Sequence, residues 1–426
     1  MFRRARAAAS QLTAHVRLWV AGSGKHASLS YVSAASRHDP RVSVPPRFAT
    51  DPDVVASEAA VVAAAWSGPD TPDSWRLIAA QLGALRDDAE LRALAASAPP
   101  DRLPALLFTA AATQLVLTLE PEPLRGWFPR VGEGQAPLGP AFVAEYRAFC
   151  LDQRERLLAA MAAHRYQMNE VGRCAGLVLA LDPQLADGRE VTFIDVGTGA
   201  GLALHFDRYA YRFAGPATAM QRVGADEAPV AIETRMHGST TPPVPDRLPV
   251  VVQRIGIDVE PLALGDANVR GWLAACIPQT IEAVTRFERA VDVALSEPAT
   301  MIRGDAVEVL ADALRSVPAD QFVCVQDSYV SVFFDDPQRR RLRSVIETAG
   351  AERDLDWISI DPLVPLGATA TDTVLGRRAP EALIRRNHDD GVFGAITRLS
   401  YRDGQRRETL VGIAHPGAAW HEWLMP

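Results

Sequence analysis

Apolar positions in the first 185 residues recur at intervals of three and four. SWRLIAAQLGALRDDAELRALAASA (74–98) and AFVAEYRAFCLDQRERLLAAMAAHRYQ (141–167) combine that spacing with many Ala, Leu, Arg and Glu residues. This is the pattern of helices with one apolar stripe. Between them Pro121, Pro123, Pro129, Gly132, Gly134, Pro137 and Pro140 mark an irregular connection,. From about 190 the pattern shifts to short runs rich in Val, Ile, Phe and Thr: VTFIDVG, VVQRIGIDVEP, FVCVQDS, WISIDPL, GVFGAITRLS and ETLVGIAHP,. Helical stretches separate several of these, at 268–277, 299–317 (helical after Asp305) and 336–352. Strands alternating with helices predict a parallel sheet covered on both faces. The last two runs flank Asp403-Gly404, which predicts an antiparallel hairpin closing the sheet,. The chain therefore divides into a mostly helical N-terminal domain or lid (1–185) and an α/β domain (186–426). An insert at 211–250 interrupts the second, with VAIETRMHG as a further strand and TTPPVPDRLP as a proline-rich loop.

The run TFIDVGTGAG (192–201) stands out against this background. A β-prone segment, Asp195 and three alternate glycines (Gly197, Gly199, Gly201) predict a strand ending in a tight turn that opens a helix. Such a turn sets backbone N–H groups and a helix N-terminus beside a ligand. Ligands of such sheets lie beyond the C-terminal strand ends, so polar residues there are candidates. Asp258 and Glu260 end the next strand, where a carboxylate can accept two hydrogen bonds from a ribose diol. Asp305 precedes a helix and Asp327 ends FVCVQ; each reads as a ligand on the adenine or substrate side, or as a helix N-cap,. The glycine spacing is not the G-x-G-x-x-G of dinucleotide sites, and the Gly-Lys-Ser/Thr of a P-loop is missing. An acidic residue before the glycines disfavours a pyrophosphate and suits a cationic ligand such as S-adenosylmethionine.

Composition narrows the picture without changing it. The formal net charge is −8 and Lys25 is the single lysine among scattered arginines, so nothing points to nucleic acid,. No run approaches the roughly 18 apolar residues of a membrane span. The basic opening, broken by His15 and Arg17, reads as an amphipathic helix or an over-extended start. Cys150, Cys174, Cys276 and Cys324 lie far apart with no CxxC spacing, so neither structural zinc nor a disulfide framework is expected and a cytoplasmic setting is,. His415 and His421 are spaced beyond a zinc i,i+4 pair, and no metal is expected there.

Four segments resemble the class I S-adenosylmethionine-dependent methyltransferases: IDVGTGAG (194–201), GIDVEP (256–261), RGDA (303–306) and QDS (326–328). More narrowly, YQMNEVGR (166–173), IDVGTGAGLALHFDRYAYRF (194–213), RIGIDVEPLAL (254–264) and GWLAACIP (271–278) resemble an actinobacterial family designated domain of unknown function 2332. That likeness spans roughly 10–420 and brings no reaction with it. The first implies a Rossmann-like, mostly parallel sheet closed by an antiparallel C-terminal hairpin, an S-adenosylmethionine pocket and a small-molecule acceptor. The insert before Asp258 departs from the common pattern, with Glu260 as the alternative ribose ligand.

His205, Asp207, Arg208, Tyr209 and Tyr211 follow the glycines. On a helix, His205 and Tyr209 share one face and Asp207 and Tyr211 another. Either His205 or Tyr209 is positioned to take a proton from an acceptor, or the aromatics pack against the insert. Asn169 and Glu170, just ahead of the α/β core, either reach over the cofactor as part of a lid, with Glu170 a further catalytic candidate, or cap the next helix. The expected activity is methyl transfer to a small molecule. The alternatives are a non-catalytic interaction or regulatory scaffold, and a nicotinamide-dependent oxidoreductase. A homodimer is compatible with either use of the helical region.

Overall fold

The computed structural model describes residues 32–33, 51–67, 73–130, 135–182, 185, 188–215, 218–363, 373–375, 377–389 and 393–425. The basic opening of the chain, expected as a helix, lies outside them. After a two-residue strand β1 (Val32–Ser33) come helices α1 (Pro52–Ala65), α2 (Asp73–Asp87), α3 (Ala89–Ala96), α4 (Pro104–Leu119), α5 (Pro140–Asp152), α6 (Arg154–Ala163) and α7 (Cys174–Ala180). Strands β2 (Glu190–Val196), β3 (Tyr209–Gly215), β4 (Thr218–Val223), β5 (Val230–His237) and β6 (Val250–Asp258) follow. Helices α8 (Ala267–Ala275) and α9 (Ile281–Ser296) lead to β7 (Thr300–Arg303), α10 (Ala306–Ser316), β8 (Phe322–Ser328), α11 (Asp336–Glu352) and β9 (Leu355–Pro362). The chain then forms the short β10 (Thr373–Val374) and β11 (Arg377–Arg378), α12 (Glu381–Asp389), β12 (Gly394–Arg402), β13 (Gln405–Ala414) and β14 (Trp420–Trp423).

β2 is buried at every position from Val191 to Val196. A strand covered on both faces belongs in the middle of a parallel sheet, and β2 lies between β6 and β8, parallel to both. Among the described residues one mixed sheet of twelve strands runs in the order β1-β7-β6-β2-β8-β9-β12-β13-β14-β5-β3-β4. Strand order reverses between β2 and β8, which places a ligand crevice beyond their C-terminal ends. β12 pairs antiparallel with both β9 and β13, and Asp403 and Gly404 take positive φ (48° and 72°) at the tip. The predicted hairpin is thus formed, with the mirror-image turn that matches strand twist, but it does not close the sheet, which runs on through β14, β5, β3 and β4.

The insert is part of the sheet. Its VAIETRMHG is β5, alternately buried and exposed as expected of a strand with one covered face,. β5 pairs with β14, so the 211–250 segment and the C-terminus close the sheet together. One expectation is overturned. Leu202–Arg208 is a 3₁₀ stretch with non-helical backbone at His205, and Tyr209 already begins β3. Tyr209, Tyr211 and Phe213 are buried at a period of two, so the aromatic spacing belongs to a strand and the proposed helix-face pairs do not exist,.

Helices α1–α6 build a core of their own around Leu82, Phe108, Phe142 and Tyr146, joined by Trp272 of α8 and Cys276 at its C-cap. Trp75 of α2 packs edge-on to His415 at 5.1 Å and covers Gly417, where a Cβ would lie 1.5 Å from its ring. The helical layer is thereby held against the end of the sheet that carries the crevice. The four cysteines are buried and free. Among the described residues no helix is long and apolar enough to cross a membrane.

Candidate functional site

The glycine loop forms because three residues must adopt left-handed backbone within five positions. Gly197, Gly199 and Gly201 have φ of +72°, +57° and +80°, a region costly for residues with a Cβ. Close approach adds a second demand: a Cβ on Gly197 would lie 2.2 Å from Val330 Cγ2, and one on Gly199 2.9 Å from Asn169 Oδ1.

The loop amides are committed to the protein. Gly197 N and Thr198 N donate to Ile257 O at 2.7 and 3.2 Å, and Gly201 N donates to Thr198 O at 2.9 Å. Gly199 N donates to Asp258 Oδ2 at 2.8 Å and Ala200 N to Asn169 Oδ1 at 3.2 Å. The expectation of free N–H groups at a helix N-terminus is therefore corrected: the loop offers shape rather than donors, and no α-helix follows it.

Asp258 ends β6 with its other oxygen accepting from Glu260 N at 2.8 Å. Burial raises its pKa, opposed by these two amides,. Asp195 lies buried beneath the loop, and burial, with the Asp258 charge adding to it and the Thr198 hydroxyl opposing, pushes its pKa up to about 7. Asp305 caps α10, accepting from Val307 N at 3.1 Å, and its residue also faces the crevice. The N-cap reading holds, at a position that also borders the cavity.

Asp258 and Asp305, but not Asp195, border a cavity of about 490 Å³ between the strand ends and the helical layer. Gly197, Gly199, Asp258 and Asp305 line the sheet side. Val62 from α1, Trp66 just after it, Leu106 from α4 and Asn169 line the opposite side, so the helical region roofs the crevice. The sequence profile of a family described as "uncharacterized protein conserved in bacteria (DUF2332)" matches residues 64–423. The chain belongs to the DUF2332 family. The match takes in most of the helical roof and the crevice end of the sheet, so the cleft of this DUF2332 member lies within family sequence except at Val61 and Val62. No curated protein matches the chain closely enough to lend it an activity.

Several predicted residues of the DUF2332 chain lie away from the cavity. Gly201 and Glu260 shape the loops beside it without lining it. Asp327 is buried against β9, accepting from Trp357 Nε1 and from Ser359 Oγ at 2.9 Å; burial and the neighbouring Asp361 hold its pKa well above the usual range. The three catalytic candidates are corrected. His205 is buried, its pKa lowered to about 4 by burial and by Arg254. The Tyr209 hydroxyl donates to Leu202 O at 2.7 Å inside the core. Glu170 accepts from Gly172 N at 2.8 Å and pairs with Arg286 at 2.9 Å. None of the three lines the cavity.

Asn169 is the member of the Asn169–Glu170 pair that reaches the glycine loop. Sequence reasoning passed over Tyr329, which follows β8 with φ +59°, its ring under the Arg173 guanidinium at 4.1 Å. Its position one residue beyond FVCVQDS was the available signal. Among the described residues no cluster of His, Cys, Asp or Glu suits a metal ion.

Proposed function

We propose that the cleft binds S-adenosylmethionine and that the protein is a methyltransferase acting on a small molecule. The observation that carries this reading is the pairing of a glycine loop whose amides are already bonded with carboxylates at the neighbouring strand ends. A dinucleotide needs donors and positive potential for its pyrophosphate, and Asp258 and Asp305 supply the opposite. A cationic ligand with a ribose fits the same groups. Asp258 keeps lone pairs for ribose hydroxyls after accepting two amides. Asp305 stands on the adenine side, and Gly197 and Gly199 allow close approach.

S-adenosylmethionine supplies an electrophilic methyl group. The chain's part is to exclude water beneath the helical roof and to hold an acceptor in line, which by itself lowers the barrier substantially. His205, Tyr209 and Glu170 do not reach the cavity, so positioning rather than proton removal is assigned to this site.

A non-catalytic scaffold would also place Asn169 over Gly199; the open cavity beside that contact favours a ligand. Calorimetric titration with S-adenosylhomocysteine tests the reading. Saturable binding is expected, lost in Gly199→Arg and at least tenfold weaker in Asp258→Ala. No binding at millimolar ligand to demonstrably folded protein overturns it.

A further inference from the structure

The cavity has two chemically distinct halves. Glycine backbone and carboxylates form one. The other is apolar, with Val62 of α1, Trp66 at its C-cap and Leu106 of α4 joined by Val332, Phe333 and Phe334 from the segment after β8. At its border, Val61 and Val259 are 51% and 62% exposed, so the rim on both sides is aliphatic.

The cations lining the cavity are occupied. Arg102 donates from Nη1 to the carbonyls of Met161, Ala162 and His164. Arg165 pairs with Asp101 and also donates to its carbonyl at 3.0 Å. Arg173 donates to Pro416 O at 2.8 Å and to Met168 O and Sδ, with its plane over Tyr329. An anionic ligand would have to break one of these arrangements and approach Asp258 and Asp305. Desolvating an unpaired charge against the apolar half is costly as well.

Resting on the reading of the cleft as a cofactor site, we propose that the methyl acceptor is an uncharged, largely apolar small molecule that enters between α1 and the loop after β6. Its body lies against the Val62, Trp66 and Phe334 walls, and its reacting atom points toward the glycine loop.

Titration of the full chain with 1-octanol and with octanoate at pH 8 tests this, since the two share a tail and differ in head charge. Octanol is expected to bind at least tenfold more tightly than octanoate. Val61→Glu and Val259→Glu, at exposed positions, should each weaken octanol at least fivefold while leaving S-adenosylhomocysteine affinity within twofold. Octanoate binding as tight as octanol, no octanol binding, or octanol affinity unmoved by both variants overturns the proposal. Absent S-adenosylhomocysteine binding with the octanol preference intact overturns the cofactor reading alone and leaves the apolar ligand class standing.

Discussion

Asp258 fastens the end of β6 to the glycine loop, its Oδ2 accepting the Gly199 N–H at 2.8 Å while Oδ1 accepts from Glu260. Asp258→Ala orphans both amides. The Gly199 amide is buried and the Glu260 amide partly so; a fully buried unpaired group costs about 1–3 kcal/mol and a half-exposed one less, so denaturant unfolding should show a loss of roughly 2–4 kcal/mol. Asp258→Asn keeps one acceptor oxygen and should lose about half as much. Equal stability of all three proteins would contradict the role assigned to the carboxylate.

Gly197 and Val330 bring the loops after β2 and β8 into contact. Gly197→Ala combines left-handed strain of about 1–2 kcal/mol with overpacking of about 1–3 kcal/mol. Gly197→Ala/Val330→Ala should recover the second part and not the first. A double-mutant cycle with no coupling would place the whole effect in the backbone.

Asp195 imposes a pH dependence of known sign. Its pKa is about 7 when folded against 3.8 ordinarily. Between those values the folded chain holds a proton that the unfolded chain has released, so this group lowers stability as pH rises through the window. Asp195→Asn removes that slope. Relative to wild type the variant should gain about 2–4 kcal/mol between pH 4 and pH 8. Parallel urea titrations of both proteins across that range are the check; a gap that does not widen with pH refutes the assignment.

Glu170 and Arg286 form a partly buried pair at 2.9 Å. Arg286→Ala leaves the Glu170 carboxylate unpaired, with a loss of about 3 kcal/mol. If Glu170 is structural, Glu170→Gln leaves ligand affinity within twofold while lowering Tm. A large loss of affinity without loss of Tm would return Glu170 to the site.

Much of the α/β half was legible because its signals are local. VTFIDVG, FVCVQDS and WISIDPL announce β2, β8 and β9 through continuous apolar runs, and Asp335 with Gln338 forms the capping box that starts α11. Gly197, Gly199, Asp258 and Asp305 were legible as cavity residues by their place at the ends of β2, β6 and β7. What escaped depended on distant partners. The run from His205 to Tyr211 suits a helix by spacing, yet β5 offers Tyr209 and Tyr211 a pairing edge, and tertiary context prevails,. The roof residues Val62, Trp66 and Leu106 carry only ordinary helical spacing, so their part in the cleft becomes visible when the layers meet.

The placement of β14 bears on how the molecule is made. Trp420, His421 and Glu422 pair with Arg235, Met236 and His237 on one side, and Gly412 to Ala414 pair with Trp423 to His421 on the other. Synthesis proceeds from the N-terminus, so β3, β4 and β5 emerge long before the strand that joins them to the rest. Until β14 leaves the ribosome, β5 and β13 each present an unpaired edge, the feature most prone to sticking to another chain,. A stop ahead of β14 would leave the cleft's own strands intact and yet yield a protein with two open edges, one facing where the other should have been sealed.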